Sequence, residues 1–84
     1  MKVTILYFAA VREIAGTGET ILEVPDGVAT VGGLAAYLER TVAGLEGRLA
    51  AVRWARNEEF VELDAPLEDG DVVAAIPPVA GGSR

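Results

Sequence analysis

The chain opens on a strict alternation. From Lys2 to Phe8, the residues Val3, Ile5 and Tyr7 fall on one side and Thr4, Leu6 and Phe8 on the other, and a period of two predicts a β-strand. Both sides are largely apolar, which suits a central strand covered on each face or one whose second face meets a partner. Ala9 to Ala15 changes to helical spacing, with Val11 and Ile14 three apart and Gly16 in the position that ends a helix. Alternation returns from Glu19 to Val24, with Thr20, Leu22 and Val24 opposite Ile21 and Glu23, and Pro25-Asp26-Gly27 closes that strand in a turn. Thr30 is an N-cap for the main helix, Val31 to about Ala43, whose apolar stripe is Val31, Leu34, Ala35, Leu38 and Val42. Gly32 and Gly33 weaken its first turn by about 1 kcal/mol each relative to alanine, and are expected to allow close packing on the sheet.

Gly44 and Gly47 break the helix. Leu49 to Ala55 predicts a third strand, and Asn57-Glu58 a hairpin turn into a fourth, Phe60-Val61-Glu62-Leu63. Trp54 and Phe60, the large aromatics of this hairpin, are read first as core or sheet-face packing, with an interface role second. Pro66 to Asp71 is a compact turn. Its carboxylates do not match a calcium loop, and no Gly-rich loop with a lysine follows a strand to cradle phosphate. A last strand, Asp71 to Ile76, runs straight into Pro77 and Pro78. Strand, short helix, strand, long helix and three further strands predict an α+β domain, with the long helix across one face of the sheet.

That domain is expected to span residues 1–76, and residues 77–84 to form an extended tail. Neither proline can donate a ladder hydrogen bond, so the sheet ends there, and consecutive prolines favour a stiff polyproline II backbone. Val79, Ala80, Gly81 and Gly82 follow, with nothing bulky enough to pack back. Fully extended, Pro77 to Gly82 reaches roughly 20 Å, enough to enter another protein's cleft.

Composition removes most other places for chemistry. The 84 residues contain no cysteine and no histidine, so there is no thiolate metal site, no thiol nucleophile and none of the commonest general base. No metal site is expected, and an autonomous enzyme is not. Thirteen acidic against seven basic residues give a net charge of −6, which argues against nucleic acid and anionic membranes as partners. No apolar run reaches spanning length and no signal-peptide pattern opens the chain, so a soluble cytoplasmic protein is expected.

Three stretches together resemble a known family. Ile5-Leu6-Tyr7-Phe8-Ala9-Ala10-Val11-Arg12-Glu13, Leu67-Glu68-Asp69-Gly70-Asp71-Val72-Val73 and Ile76-Pro77-Pro78-Val79-Ala80-Gly81-Gly82 resemble the MoaD-type sulfur carriers, the small subunits of molybdopterin synthase. The resemblance implies a β-grasp (ubiquitin-like) fold: a mixed sheet, the last strand parallel beside the first, and one long helix packed across it. It also implies a chemistry. A MoeB-type adenylating enzyme, of the ubiquitin-activating kind, uses ATP to activate the Gly82 carboxylate, and sulfur replaces AMP to leave a C-terminal thiocarboxylate. The tail Pro77, Pro78, Val79, Ala80 and Gly81 carries Gly82 into a MoaE-type large subunit, within a heterotetramer, where sulfur passes to the pyranopterin precursor. No bound cofactor is implied. Phe8, Phe60 and Ile76 fall where the family presents an apolar face to its partners.

Two features depart from the family. Ser83 and Arg84 follow Gly82, so the residue that should bear a free carboxylate bears an amide. The extension is open to three readings: a segment trimmed by a protease, a variant's natural tail, or a remnant foreign to the chemistry. The hairpin run Arg53-Trp54-Ala55-Arg56 is also longer or more basic than the family's. Related carriers leave two alternatives, a ThiS-type donor for thiamin and a ubiquitin-like modifier conjugated through Gly82. A plain β-grasp binding module with an inert tail is a third.

Overall fold

The structure, a computed structural model, describes residues 1–78. Five strands and two helices follow in the order β1 (Lys2–Tyr7), α1 (Ala9–Ala15), β2 (Glu19–Glu23), α2 (Val31–Thr41), β3 (Arg53–Arg56), β4 (Glu59–Val61) and β5 (Val72–Ile76). The sheet order is β2-β1-β5-β3-β4. β5 lies parallel to β1, with Ile5 opposite Val73 and Tyr7 opposite Ala75; every other pairing is antiparallel. This is the β-grasp arrangement. It carries, in addition to the long helix, a second one of seven residues that packs against β1 and β5.

The alternation of each strand decides which side it buries. Val3, Ile5, Tyr7, Trp54, Val73 and Ala75 share one core cluster with Val31, Leu34 and Leu38 of α2. The helix begins as its sequence demands, with Thr30 Oγ1 accepting from Gly33 N at 3.1 Å. Its remaining early N–H groups are satisfied from elsewhere: Val31 N donates to Ala65 O and Gly32 N to Leu63 O. Gly32 is therefore small for a different reason from the one expected. A Cβ there would stand 3.1 Å from the Leu63 carbonyl oxygen, so the close approach is to the segment after β4, away from the sheet.

Element ends shift where tertiary demands override the pattern. Leu49 to Val52, expected in a strand, lie in turns; Leu45 and Leu49 are buried there against the core, held by Leu49 N donating to Glu39 Oε2 at 2.9 Å. Gly44 and Gly47, both at positive φ, take the chain out of α2, which stops at Thr41. β4 is shortened to three residues because Glu62 to Ala65 leave the sheet to cap α2. Among the described residues, no helix is long and apolar enough to cross a membrane.

Candidate functional site

A single long helix covers one face of a sheet and leaves the other to solvent. On the open face, the alternation that buries Ile5, Val73 and Trp54 necessarily presents Leu6, Val72, Ala74, Ile76, Ala55 and Phe60. These residues, with Phe8 at the end of β1, line a concavity of about 610 Å³. Its floor is made of the small side chains Ala55 and Ala74, opposite one another in the β3–β5 ladder. Its walls are large and exposed: Phe60 is 58% exposed, Phe8 45% and Val72 38%. Apolar side chains at such exposure mark a surface built to be covered.

The hairpin tip that closes one end of the concavity is clamped to β5. Asn57 and Glu58 both adopt left-handed backbone conformations, with φ of 52° and 74°, the pair that a two-residue hairpin turn of matching twist requires. Asn57 N donates to Val72 O at 2.8 Å, and Val72 N donates to Asn57 Oδ1 at 2.9 Å. The Asn57 amide also donates to Asp71 Oδ1 at 3.0 Å, while Asp71 Oδ2 accepts from Glu68 N at 2.8 Å. Arg56 Nη1 lies 3.7 Å from the same oxygen. Asp71 is buried, and these partners compensate its charge. Beyond the clamp, the Arg53 guanidinium sits over the Phe60 ring, 4.1 Å from its centroid.

Tyr7, on the closed face beneath this surface, has its phenol pKa pushed up from 10.0 by burial, with a hydrogen bond to Thr20 acting the other way. It is a packing residue, neutral at ordinary pH. Among the described residues, no three His, Cys, Asp or Glu side chains gather to hold a metal ion.

Of the residues singled out from sequence, Phe8, Phe60 and Ile76 line the same concavity. Trp54 is core, whereas Phe60 is exposed on the open sheet face. Pro77 and Pro78 follow Ile76 directly, the first half-buried and the second exposed. Val79, Ala80, Gly81 and Gly82, with Ser83 and Arg84, lie outside the described residues. Sequence reasoning placed Asn57 in the hairpin turn and Asp71 in the turn before the last strand, as observed, but singled out neither of them, nor Leu6 and Val72, as site residues. Leu6 and Val72 were within reach of it, since both sit on the second face of apolar strands. The Asn57–Asp71 clamp joins residues 14 apart and leaves no local signature.

Comparison with known proteins gives the arrangement a family. The sequence profile described as the ThiS family matches residues 5–82. A molybdopterin synthase sulfur carrier subunit from Escherichia coli is 45% identical, covering 95% of this chain and 99% of its own. The crystal structure of SAMP1 from Haloferax volcanii superposes with a TM-score of 0.84 at 31% identity, over 98% of this chain and 100% of that one. A protein–protein complex of subunits 1 and 2 of the molybdopterin-converting factor from Helicobacter pylori contains a chain that matches with a TM-score of 0.70 at 28% identity, over 98% of this chain and 100% of that one. With its β-grasp topology, its open apolar face and a profile match running from β1 to Gly82, the chain belongs to the ThiS family.

Proposed function

We propose that this chain is the sulfur carrier and small subunit of a molybdopterin synthase. The observation that carries the reading is the exit of β5. The central strand ends at Ile76 on the rim of an apolar concavity, and Pro77-Pro78-Val79-Ala80-Gly81-Gly82 starts from that rim. A partner that covers the concavity is thereby positioned to receive the tail. The identity with the Escherichia coli sulfur carrier subunit and the likeness to a subunit of the Helicobacter pylori two-subunit complex support the same assignment.

The chemistry explains why the carrier has so few reactive side chains. A carboxylate is a poor electrophile until one oxygen becomes a leaving group. The Gly82 carboxylate attacks the α-phosphorus of ATP and pyrophosphate leaves; sulfur at the hydrosulfide level then attacks the acyl carbon, the C–O bond to AMP breaks, and the thiocarboxylate remains. In the synthase, that sulfur is passed to the pyranopterin precursor. General acids and bases belong to the partners: a MoeB-type adenylating enzyme for activation and a MoaE-type large subunit for transfer, in a heterotetramer and in the cytoplasm. This chain holds no cofactor of its own and meets ATP only in the activating enzyme's site. Residues 1–76 act as the handle and residues 77–84 as the arm.

In the 84-residue form Gly82 is joined to Ser83 by an amide. While any residue follows Gly82, that glycine has no free carboxylate to adenylate, and a side chain such as that of Arg84 would have to enter a channel suited to glycine. Hydrolysis of the Gly82–Ser83 bond is therefore required before activation. The test is ATP–pyrophosphate exchange with the cognate adenylating enzyme, run on the 84-residue chain and on a chain ending at Gly82. Exchange is expected only for the shorter form; equal rates, without trimming visible by mass, would overturn the requirement. A second reading, a modifier conjugated through Gly82, is favoured by the likeness to SAMP1, a small archaeal modifier protein. Intact mass from native cells separates the two: the carrier ends at Gly82 with one oxygen exchanged for sulfur, whereas the modifier is found linked to lysines of other proteins.

A further inference from the structure

The stacked pair Arg53–Phe60 sets a cation beside the apolar concavity, whose own lining carries one charged residue, Glu58, at the hairpin tip. We propose that Arg53 is a specificity determinant of the docking surface, and that the large subunit covering the concavity presents a carboxylate to it. The inference rests on the docking role of this face in the proposed function.

Three observations lead to it. First, register puts Arg53 on the open side: it pairs with Ile76 in the β3–β5 ladder, and its neighbour two residues on, Ala55, lines the concavity, while Trp54 between them is core. Second, its guanidinium lies 4.1 Å from the Phe60 centroid. Phe60 lines both the main concavity and a second depression between α2 and the β3–β4 hairpin, whose walls include Arg53. A partner that seats Phe60 must therefore cover Arg53 or pass directly beside it. Third, Arg53 has no carboxylate within ion-pairing distance among the described residues, although the chain carries thirteen acidic side chains. Arg56, on the same strand, is by contrast drawn to Asp71 and the Pro66 carbonyl.

The consequence follows from desolvation. An arginine stripped of water at an interface weakens binding unless an opposite charge with good geometry replaces that water. The planar guanidinium suits a carboxylate in its own plane while its face remains stacked on an aromatic ring. Stacking also limits the rotamers of both side chains before the partner arrives, so less freedom is lost on binding. A partner surface matched to a wholly apolar face would be penalised at this point. Arg53 thus distinguishes a partner with an acidic group at that position from one without.

The test uses the full-length chain and the cognate large subunit, with affinity measured by calorimetry at low and high salt. Arg53→Met is expected to weaken binding at low salt by about tenfold and to flatten its salt dependence, with thermal unfolding unchanged. Arg53→Lys should restore the salt dependence, and Arg53→Glu should bind more weakly than Arg53→Met. Phe60→Ala is measured in parallel. If Phe60→Ala loses affinity while Arg53→Met keeps both affinity and salt dependence, Arg53 is not a determinant and only this inference falls. If Arg53→Met loses affinity with its salt dependence intact, the residue merely holds Phe60, and the partner carboxylate is refuted. If neither variant binds more weakly, the docking role of the face fails and the inference with it.

Discussion

The two faces of the sheet are built from the same strands and serve opposite ends. On the closed face, Ile5, Val73 and Ala75 are fully buried beneath α2. One residue along, Leu6, Val72 and Ala74 form the open face, equally apolar and without a helix. Burial of the first set holds the domain together, while the second set leaves hydrophobic free energy unspent until a partner arrives. Adjacent residues on one strand can thus be assigned to stability or to recognition by parity alone. The difference is testable at single positions.

The sharpest break is on the closed side. Leu34, fully buried in α2, contributes to folding: Leu34→Ala is expected to cost about 3 kcal/mol, read as a lowered midpoint in urea. Binding measured well below that midpoint should be unaffected. The mirror-image substitution is Phe60→Ala. With more than half of this ring exposed, folding stability should change by no more than about 0.5 kcal/mol, whereas affinity for the large subunit should fall at least roughly tenfold. Calorimetry beside thermal unfolding decides it, and a drop in stability without a drop in affinity would reverse the assignment of faces.

Parity was legible in the sequence from the first strand. Lys2 to Phe8 is apolar on both sides, and the long-helix stripe from Val31 to Val42 can cover only one of them. What the pattern could not reveal was where neighbours impose themselves. Leu49 has strand-like surroundings in sequence, yet its side chain reaches the core from a turn. Gly32 answers to a carbonyl 31 residues away, that of Leu63. The candidate site divides along the same line. Phe8, Phe60 and Ile76, which line the concavity together, were singled out through the family resemblance. The Asn57–Asp71 clamp and the stacking of Arg53 on Phe60 depend on cross-strand register, and no local spacing encodes them.

A gentler test bears on the hairpin tip at the edge of the open face. Glu58 holds a left-handed backbone, φ 74°, a conformation that disfavours any residue with a Cβ. Glu58→Gly is expected to raise stability by about 0.5–1 kcal/mol, measurable in urea. The gain would mark Glu58 as a residue that local backbone preference alone does not select.

The smallest effect belongs to the closed face and appears only in alkali. Burial raises the Tyr7 phenol pKa above its ordinary 10.0, so the unfolded chain loses this proton at lower pH than the folded one. Its contribution is complete below pH 10 and is lost as pH rises through the folded value. Stability of the wild-type chain should therefore fall more steeply above pH 10 than that of Tyr7→Phe, and identical alkaline profiles would show that Tyr7 is not the group responsible.

β5 also has a mechanical meaning. It is flanked by β1 on one side and β3 on the other, with four paired positions on each flank. The chain leaves it lengthwise through Pro77. Tension applied along the strand from beyond Pro77 loads both ladders in shear, the perpendicular bonds to β3 and the slanted bonds to β1 sharing the force. An edge strand pulled sideways would instead peel away one bond at a time. In the function proposed above, where the tail is drawn out of a partner's cleft, the chain is anchored at the place in its sheet best able to resist the pull.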